Sequence, residues 1–244
     1  MRRRERLAVT ARDWGHAGLR QAAALVRRGG PGDFLEAGEG SCGRVPVVML
    51  PGIWETWRFL QPLAAALHAS GHPVHVVPGL GVNGRPLQES AGTVVAHLAA
   101  AHVRGAVLVA HSKGGLVGKL VLMSPDAAGR AVGLVAVCTP FGGSSLARPL
   151  LARPLVARGP LSLFVPTGSV LAALTAERVV NAHIVSLSSA WDEMIPEGSA
   201  LAGAHNVTLD VAGHFRPVAD AGVHRVVHEH VHRLAAQAEG ERWS

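Results

Sequence analysis

A serine at the end of an apolar run is the first residue whose surroundings indicate chemistry. Ser112 follows AVLVAH (106–111) and precedes KGGLVGKL, so a short predicted strand passes directly into a predicted helix. Because such a turn is sharp, the residues two before and two after the serine must be small, and Ala110 and Gly114 meet that demand. The turn would lift the hydroxyl above the sheet, where it could attack a carbonyl carbon.

A serine hydroxyl is a weak nucleophile, so the same chemistry also requires a histidine and an orienting carboxylate. His214 follows the last predicted strand and Gly213, and Asp192 lies just beyond the strand AHIVSLSS. The chain order Ser112, Asp192, His214 is the order expected of nucleophile, acid and base on this kind of sheet. Three nearby carboxylates are rivals for the orienting role: Glu193, Glu197 and Asp210.

Backbone N–H groups near Ser112 could stabilise the oxyanion that forms when the serine attacks. Lys113 begins the predicted helix, so its amide would point toward the developing charge. A second donor is expected in LPGIWET (50–56), the loop after the first predicted strand. Ile53 is the candidate, with its immediate neighbours as alternatives. The side chain of Lys113 is expected to be solvated, with contact to a substrate carboxylate or phosphate as the alternative.

The elements that must position these residues alternate regularly from residue 45 onward. Strands are predicted at 45–50, 72–77, 106–111, 132–138, 182–189 and 206–213, and helices at 57–71, 89–102, 113–123 and 218–239. Apolar strands that alternate with helices indicate an α/β fold with a parallel sheet covered on both faces. We therefore predict about six mostly parallel strands, with the ligand site at their carboxyl ends.

Two segments do not fit this alternation. Residues 1–44 predict a helix over 8–28 and a Gly-rich lead-in, packed on a domain that spans 45–239. A surface-binding helix is the alternative. Residues 141–181 are rich in Leu, Pro and Arg and exceed the roughly dozen residues that a plain crossover needs. The surplus predicts a short cap at the ligand end of the sheet.

Taken together, these motifs resemble those of the α/β-hydrolase superfamily, on the side of small lipases and esterases. VVMLPGIWETW (47–57) resembles the oxyanion loop, and VAHSKGGLVGK (109–119) resembles the nucleophile elbow in its Ala-x-Ser-x-Gly form. AVCTPFGGS (136–144) resembles a lipase segment, and residues 192–214 resemble the acid-to-histidine segment. The resemblance covers about residues 45–236. It implies a minimal α/β-hydrolase fold and a serine hydrolase that cleaves carboxylic esters through an acyl-enzyme.

The substrate is indicated only by apolar residues near the predicted strand ends. Aromatic residues are 4% of the chain, yet Trp54, Phe141 and Trp191 all fall there. They are candidates for an acyl pocket, with burial in the core as the alternative. With the Leu-rich segment 145–175 they favour a small-molecule ester with an apolar acyl group. Acyl transfer or thioester hydrolysis by the same triad is a second hypothesis, and an inactive fold that binds a lipid or a partner is a third.

Composition narrows the remaining possibilities. Hydrophobic residues make up 48% of the chain and charged residues 16%, the opposite of a disordered chain. The net charge of +6 allows contact with an anionic membrane surface, but nothing predicts a nucleic-acid partner. Cys42 and Cys138 are expected to be free thiols. Because no apolar run approaches about 18 residues, no transmembrane helix is predicted and a cytoplasmic protein is expected.

Two other patterns could suggest a ligand. GLGVNG (79–84) fits Gly-x-Gly-x-x-Gly, but its place in the chain favours a loop at the mouth of the site over a dinucleotide site. His224, His228 and His232 would share one helix face, for which a solvated or partly packed face is favoured over a metal site. The predicted hydrolysis needs neither a cofactor nor a metal.

Overall fold

The computed structural model describes residues 2–26, 34, 44–147, 163–166 and 169–241. Its sheet has six strands: β1 (Val47–Leu50), β2 (Val74–Val76), β3 (Ala106–His111), β4 (Ala131–Val137), β5 (Ile184–Ser188) and β6 (His205–Thr208). All neighbouring strands are parallel, in the order β2-β1-β3-β4-β5-β6. The predicted minimal α/β-hydrolase architecture is confirmed.

Six α-helices accompany the strands in the described residues: α1 (Arg3–Val26), α2 (Gln61–Ala69), α3 (Leu87–Ala100), α4 (Lys113–Met123), α5 (Ser169–Ala176) and α6 (Ala221–Glu241). The helix predicted over 57–71 is divided, because a 3-10 turn over Trp57–Leu60 precedes α2. Pro62 lies in the first turn of α2, where its missing N–H costs no intrahelical bond.

The strands form a sheet buried on both faces, because successive side chains point to opposite sides. Val48 and Leu50 of β1 belong to the core cluster that α3 and α4 cover. Val47 and Met49 belong to the cluster that α2 and α6 cover. The same four-residue strand therefore contributes to both layers, which explains why it is apolar throughout.

Strand register brings the ends of the central strands together. Leu50 pairs with Ala110, so the loop that begins at Pro51 starts beside the turn that contains Ser112. His111 pairs with Val137, so the segment after β4 lies on the other side of the same turn. The carboxyl ends of β1, β3 and β4 thus form one edge, as expected for a ligand site in a parallel sheet.

The N-terminal helix α1 begins earlier than predicted and packs on the sheet domain near this edge. The Trp14 ring contacts Phe215 edge-on, with 5.4 Å between ring centroids. Arg20 donates hydrogen bonds to the backbone oxygens of Arg58 and Phe59 at 3.0 and 3.1 Å. The boundary between a lead-in at 1–44 and a domain at 45–239 stays a prediction.

The predicted cap is described only in part. A 3-10 turn over Ser145–Ala147 and helix α5 lie within the predicted segment 141–181, whereas residues 148–162 and 167–168 lie outside the described residues. Cys42 also lies outside them, and Cys138 is a buried free thiol. Among the helices of the described ranges, none has both the length and the apolar character to span a membrane.

Candidate active site

Ser112 occupies the turn between β3 and α4 in a conformation that few residues adopt. Its φ of 51° and ψ of −122° lie in a region where a side chain is strained. Small neighbours make the turn possible, because a Cβ on Gly114 would overlap the Leu50 backbone oxygen and one on Gly115 would overlap Thr139. The strain and the crowding together hold the serine hydroxyl at the edge of the sheet.

Ser112, His214 and Asp192 form a continuous hydrogen-bonded chain. His214 Nε2 lies 3.0 Å from Ser112 Oγ, and His214 Nδ1 lies 2.8 Å from Asp192 Oδ2. All three residues are buried. Because the Asp192 oxygen can only accept, Nδ1 carries the proton and Nε2 is left to accept the hydrogen of the serine hydroxyl. This is the arrangement in which imidazole can act as a general base toward the serine.

The other oxygen of Asp192 is also fully used. Asp192 Oδ1 accepts the backbone N–H groups of Met194 and Ile195 at 2.8 and 2.9 Å. Burial alone would raise the pKa of Asp192, but His214 and these two amides lower it below its ordinary value. Asp192 is therefore ionised at neutral pH, as an orienting carboxylate must be.

The rival carboxylates are placed elsewhere. Glu197 Oε1 accepts the backbone N–H of Ser145, and Asp210 is exposed on the loop after β6. The carboxyl group of Glu193 faces Asp13 rather than His214. Among the four candidates, Asp192 is the one that hydrogen bonds the imidazole of His214.

The loop after β1 is held by its own glutamate. Gly52 N donates to Glu55 Oε2 at 2.7 Å, and Glu55 N donates to Gly52 O at 3.3 Å. The Gly52 amide is therefore occupied, whereas Ile53 lines the same cavity as Ser112. Lys113 is the first residue of α4, so its N–H has no acceptor within the helix. Both predicted oxyanion donors thus lie at the edge where the serine hydroxyl is found.

A buried ion pair connects this loop to the segment that carries His214. His111 Nδ1 lies 2.9 Å from the Glu55 carboxylate, and His111 Nε2 lies 3.0 Å from the backbone oxygen of His214. Both partners only accept, so both ring nitrogens donate and the imidazole is protonated. Burial alone would lower the pKa of His111, but Glu55 and the His214 carbonyl raise it. Glu55 and His111 therefore hold Gly52 and His214 in fixed relation.

Replacing Glu55 by glutamine is expected to disturb both the loop that contains Gly52 and the segment that carries His214. Removing one partner of a buried ion pair leaves an uncompensated charge, so the free energy of unfolding should fall by about 3 kcal/mol. The ester turnover that the sequence predicts should fall about tenfold or more, because the loop that carries Ile53 loses its anchor. Denaturant unfolding and initial rates measure the two effects. The control is Glu89→Gln on the exposed first turn of α3. Equal stability of both variants would contradict the assigned role of the pair.

The N-terminal helix contributes a second buried carboxylate to the site. Asp13 on α1 is 0% exposed and accepts three consecutive backbone N–H groups: His214 at 2.9 Å, Phe215 at 3.0 Å and Arg216 at 2.9 Å. Gly213 has a φ of 111°, and a Cβ there would overlap the Asp13 carboxylate. The segment that carries His214 is thus folded around the side chain of Asp13.

Glu193 lies against Asp13 and keeps a proton. Its two carboxyl oxygens are buried and have no donor partner among the described residues. Burial, together with hydrogen bonding to Asp13 and the nearby charges of Asp13 and Asp192, raises the pKa of Glu193 to about 8. Two carboxyl groups can hydrogen bond only when one is protonated, so the neutral form of Glu193 is the one that fits this position.

The Glu193 pKa predicts a stability change with pH. The unfolded chain releases this proton near 4.5 and the folded chain releases it near 8, so between these values only the folded state holds it. Stability from this group is therefore complete below the unfolded value and is lost as pH rises through about 8. As the pH rises from 4.5 to about 8, the Tm of the wild type should fall by about 2–4 °C more than the Tm of Glu193→Gln. This difference corresponds to ~1 kcal/mol. Thermal unfolding of both proteins measures this, and parallel pH curves would contradict it.

An apolar cavity of about 410 Å³ opens at Ser112 and His214. One wall comes from α1, which contributes Trp14, Ala17, Gly18 and Gln21. The opposite side comes from segments after β4 and β5, which contribute Pro140, Ser144, Leu146, Ala147, Phe164, Met194 and Ile195. Gln21 donates a hydrogen bond to the Trp54 backbone oxygen at 2.8 Å and so joins α1 to the loop after β1. The site is thus bounded partly by a helix that precedes the sheet.

The predicted aromatic pocket is found only in part. Trp54 lines the cavity and is 51% exposed. Phe141 is 2% exposed within the core cluster, and Trp191 lies 5.9 Å beneath the guanidinium carbon of Arg6. Neither is among the described residues that line the cavity. Their positions after strand ends suggested a pocket wall, but Phe141 turns inward and Trp191 turns toward α1. Phe59 and Phe215 line the cavity instead.

The Lys113 side chain is not solvated as expected. It is fully buried, and its ammonium donates hydrogen bonds to the backbone oxygens of Asn83 and Arg85. Burial lowers the pKa of Lys113 to about 8. Asn83 in turn donates to the Pro51 oxygen at 2.7 Å. The Gly-rich loop 79–84 therefore serves to anchor Lys113 and the loop after β1.

Two groups of three potential metal ligands lie together in the described part of the chain. Cys138, Asp192 and His214 form one of them. Asp192 and His214 already hydrogen bond each other, and burial raises the pKa of the Cys138 thiol well above its ordinary value, so the thiolate that a metal would need is disfavoured. The second group consists of His72, His228 and His232, which lie away from this site.

Comparison with known proteins supports the fold at low sequence identity. No protein-family model matches the sequence, and no curated protein matches it either. The structure is similar to the mature form of lipase BlEst2 from Bacillus licheniformis, with a TM-score of 0.63 and 14% identity over 83% of this chain and 100% of that one. It is also similar to a Paleococcus ferrophilus monoacylglycerol lipase, with a TM-score of 0.55 and 16% identity over 79% and 96%.

A third similar structure comes from work on carboxylesterases of the thaumarchaeon Nitrososphaera gargenis. Its TM-score is 0.57, with 10% identity over 83% of this chain and 94% of that chain. These three structures match most of their own length. By its strand order, its strained serine turn and these likenesses, the chain has the fold of the α/β-hydrolase superfamily.

Proposed function

We propose that this protein is a serine hydrolase that cleaves carboxylic esters with an apolar acyl group. The observation that carries the proposal is the hydrogen-bonded chain from Ser112 through His214 to Asp192 at the mouth of an apolar cavity. A strained serine turn alone would support only the fold. The addition of an oriented imidazole and an apolar space for the acyl chain supports the chemistry.

The proposed reaction begins with the serine. His214 Nε2 takes the Ser112 proton as Oγ forms a bond to the ester carbonyl carbon, and the carbonyl oxygen becomes an oxyanion. The amides of Ile53 and Lys113 donate to that oxyanion. As the tetrahedral centre collapses, the bond to the alcohol oxygen breaks and His214 gives it the proton. Water then repeats the sequence on the acyl-enzyme and releases the acid. Asp192 stays ionised and holds the imidazole throughout.

The cavity supports an acyl chain rather than a polar group. Of the side chains that line it, the polar ones besides Ser112 and His214 are Gln21, Glu55 and Ser144, and all three are engaged in hydrogen bonds with the protein. The rest of the lining is apolar or aromatic. Burying alkyl carbons there should contribute about 0.8 kcal/mol for each methylene, as long as the chain stays within the cavity.

The test is a rate profile against acyl length, with a helix variant that shortens the cavity. We expect kcat/KM for aryl esters to rise from acetate through butyrate to octanoate. Gly18→Leu should reduce the octanoate rate about tenfold or more but leave acetate nearly unchanged, because Gly18 lines the cavity and a Cβ there meets no atom within 4 Å. The matched control is Gly15→Leu, also on α1 with open space but outside the cavity lining.

Rate measurements with other substrates separate the alternative functions. A short acyl-thioester substrate that is cleaved faster than its oxygen ester would assign a thioesterase instead. Product formation that depends on an added alcohol rather than water would assign an acyltransferase. No turnover of any ester by folded protein would contradict the proposal and leave a binding function.

A further inference from the structure

Three histidines from two distant parts of the chain meet at one place. His72 lies in the turn between α2 and β2, and His228 and His232 lie one turn apart on α6. One ring nitrogen from each falls within 4.8 Å of the other two. The ring centroids are 5.3 Å apart for His72 and His228, 5.1 Å for His72 and His232, and 4.6 Å for His228 and His232. The three rings therefore converge on a common centre.

This cluster belongs to the opposite edge of the sheet from the triad. His72 precedes β2, and it contacts Val45, which precedes β1. Ser112 follows the carboxyl end of β3, where the cavity opens. Since all strands are parallel, the histidines lie at the amino ends of strands whose carboxyl ends carry the chemistry. The cluster is independent of the proposed ester hydrolysis.

His72 has a buried nitrogen with no partner. Its Nδ1 lies 2.9 Å from the Val45 backbone oxygen, so this nitrogen must donate. Its Nε2 then presents a lone pair, yet His72 is 0% exposed and Nε2 has no hydrogen-bond partner among the described residues. A buried polar atom left unsatisfied costs about 1–3 kcal/mol. A backbone carbonyl on one ring nitrogen and a free lone pair on the other is the usual arrangement of a metal-binding histidine.

The spacing of the other two nitrogens fits a shared ion. His228 Nε2 and His232 Nε2 are 3.2 Å apart. Two ligands about 2.0–2.1 Å from a tetrahedral Zn²⁺ lie roughly 3.3 Å from each other. A spacing of four residues on a helix presents both rings on one face. His224, which the sequence places on that face as well, instead uses Nε2 to contact the Val218 oxygen at 3.0 Å.

From this geometry we propose that His72, His228 and His232 bind a Zn²⁺ ion, with water as the fourth ligand. Three imidazoles suit borderline ions such as Zn²⁺, and the group contains no carboxylate that would favour Ca²⁺ or Mg²⁺. Arg44 lies 3.2 Å from His232 Nε2 and must turn away, which its exposed position permits. The ion would join the turn before β2 to α6 and stabilise the folded chain, because the unfolded chain has no such site.

The experiment uses the full chain without an added histidine tag, stripped of metal by a chelator. Isothermal titration calorimetry with Zn²⁺ alone should show one ion bound per chain. Differential scanning calorimetry should show a higher Tm with Zn²⁺ than without it. Titration with Co²⁺ should give the visible absorption of a tetrahedral site. His232→Ala and His72→Ala should each weaken Zn²⁺ binding by about 100-fold or more, since even outer-shell partners are worth 10–100-fold.

Control variants show whether Zn²⁺ binds to the three proposed ligands and not to other histidines. His224→Ala removes a histidine from the same helix and should leave Zn²⁺ affinity unchanged. His232 is exposed, so His232→Ala should fold even if His72→Ala does not, and circular dichroism checks both. Absence of stoichiometric binding by the wild type would overturn the proposal. Binding that survives both ligand variants, or that His224→Ala weakens as much as His232→Ala, would overturn it as well. Aryl-ester turnover should be the same with and without Zn²⁺.

Discussion

Ser112→Ala is expected to lower turnover of an aryl ester by about 10⁴-fold or more, because the variant lacks the proposed nucleophile. The strained backbone should tolerate the change, since alanine and serine share the same Cβ. The free energy of unfolding should therefore stay close to that of the wild type. Initial rates and denaturant unfolding of the purified variant measure the two quantities. A variant that kept more than a tenth of the wild-type rate would contradict the assignment.

A double substitution separates the triad from background hydrolysis. His214→Ala should lose about as much activity as Ser112→Ala, and the combined variant should lose little more, because the two residues act as a unit. Ser124→Ala, at the other end of α4, is the matched control and should retain full activity. Losses that multiplied in the double variant would indicate that the two residues act separately.

Asp13→Ala should have the second largest effect, although Asp13 lies 201 residues before His214. Removing its carboxylate leaves the buried N–H of His214 and the partly buried N–H groups of Phe215 and Arg216 without their acceptor. A buried unsatisfied donor costs about 1–3 kcal/mol, so the free energy of unfolding should fall by ~3 kcal/mol. Displacing His214 by about 1 Å can cost roughly 100-fold in rate, and we expect kcat to fall by that order.

Two readouts distinguish a positioning role for Asp13 from general damage. KM should change far less than kcat, because Asp13 positions His214, the proposed base, and does not position the substrate. Asp13→Asn keeps one acceptor oxygen and should recover part of both stability and kcat. The neighbouring Arg12 is exposed, so Arg12→Ala is the control on the same helix. A stable Asp13→Ala protein with the wild-type kcat would show that the hydrogen bonds to the His214 segment are not needed.

The three residues of the proposed triad could be selected from the sequence because each follows a strand that its own neighbours define. Ser112 is fixed by the strand before it and by Gly114 behind it, and His214 and Asp192 follow the last two strands in the expected order. The sheet could be predicted for a similar reason, since β1 and β3 are apolar throughout. The end of β6 could not be predicted from the sequence. Beyond Thr208 the backbone still forms a hydrogen bond, from Ala190 N to Val211 O, but it lacks regular strand geometry.

The residues that support the triad could not be predicted in the same way. Asp13 reads as one acidic residue in an arginine-rich helix, and only the folded chain places it beneath His214. Glu55 and His111 lie within recognised motifs, but their pairing joins positions 56 residues apart. The sequence predicts Lys113 in solvent because it begins a helix, yet its ammonium bonds the backbone oxygens of Asn83 and Arg85. In each case the decisive contact is a tertiary one that no local pattern encodes.

The group of three histidines also depends on a tertiary contact that the sequence does not reveal. The sequence places His224, His228 and His232 on one face of α6, and it favours a solvated or partly packed face over a metal site. In the structure the third member of the group is His72 rather than His224. His72 lies 156 residues before His228, far in the sequence from both other members of the group. A shared helix face could indicate two of the three ligands, but not the buried one that gives the site its orphaned nitrogen.

Reaction with a fluorophosphonate probe, followed by peptide mass spectrometry, tests the central claim most directly. The phosphonate forms a covalent bond only with a serine whose proton a nearby base removes. We predict one adduct per chain, on the peptide that contains Ser112, and a strong decrease in labelling rate for His214→Ala. Folded protein that stays unmodified, or that carries the adduct on another residue, would contradict the account.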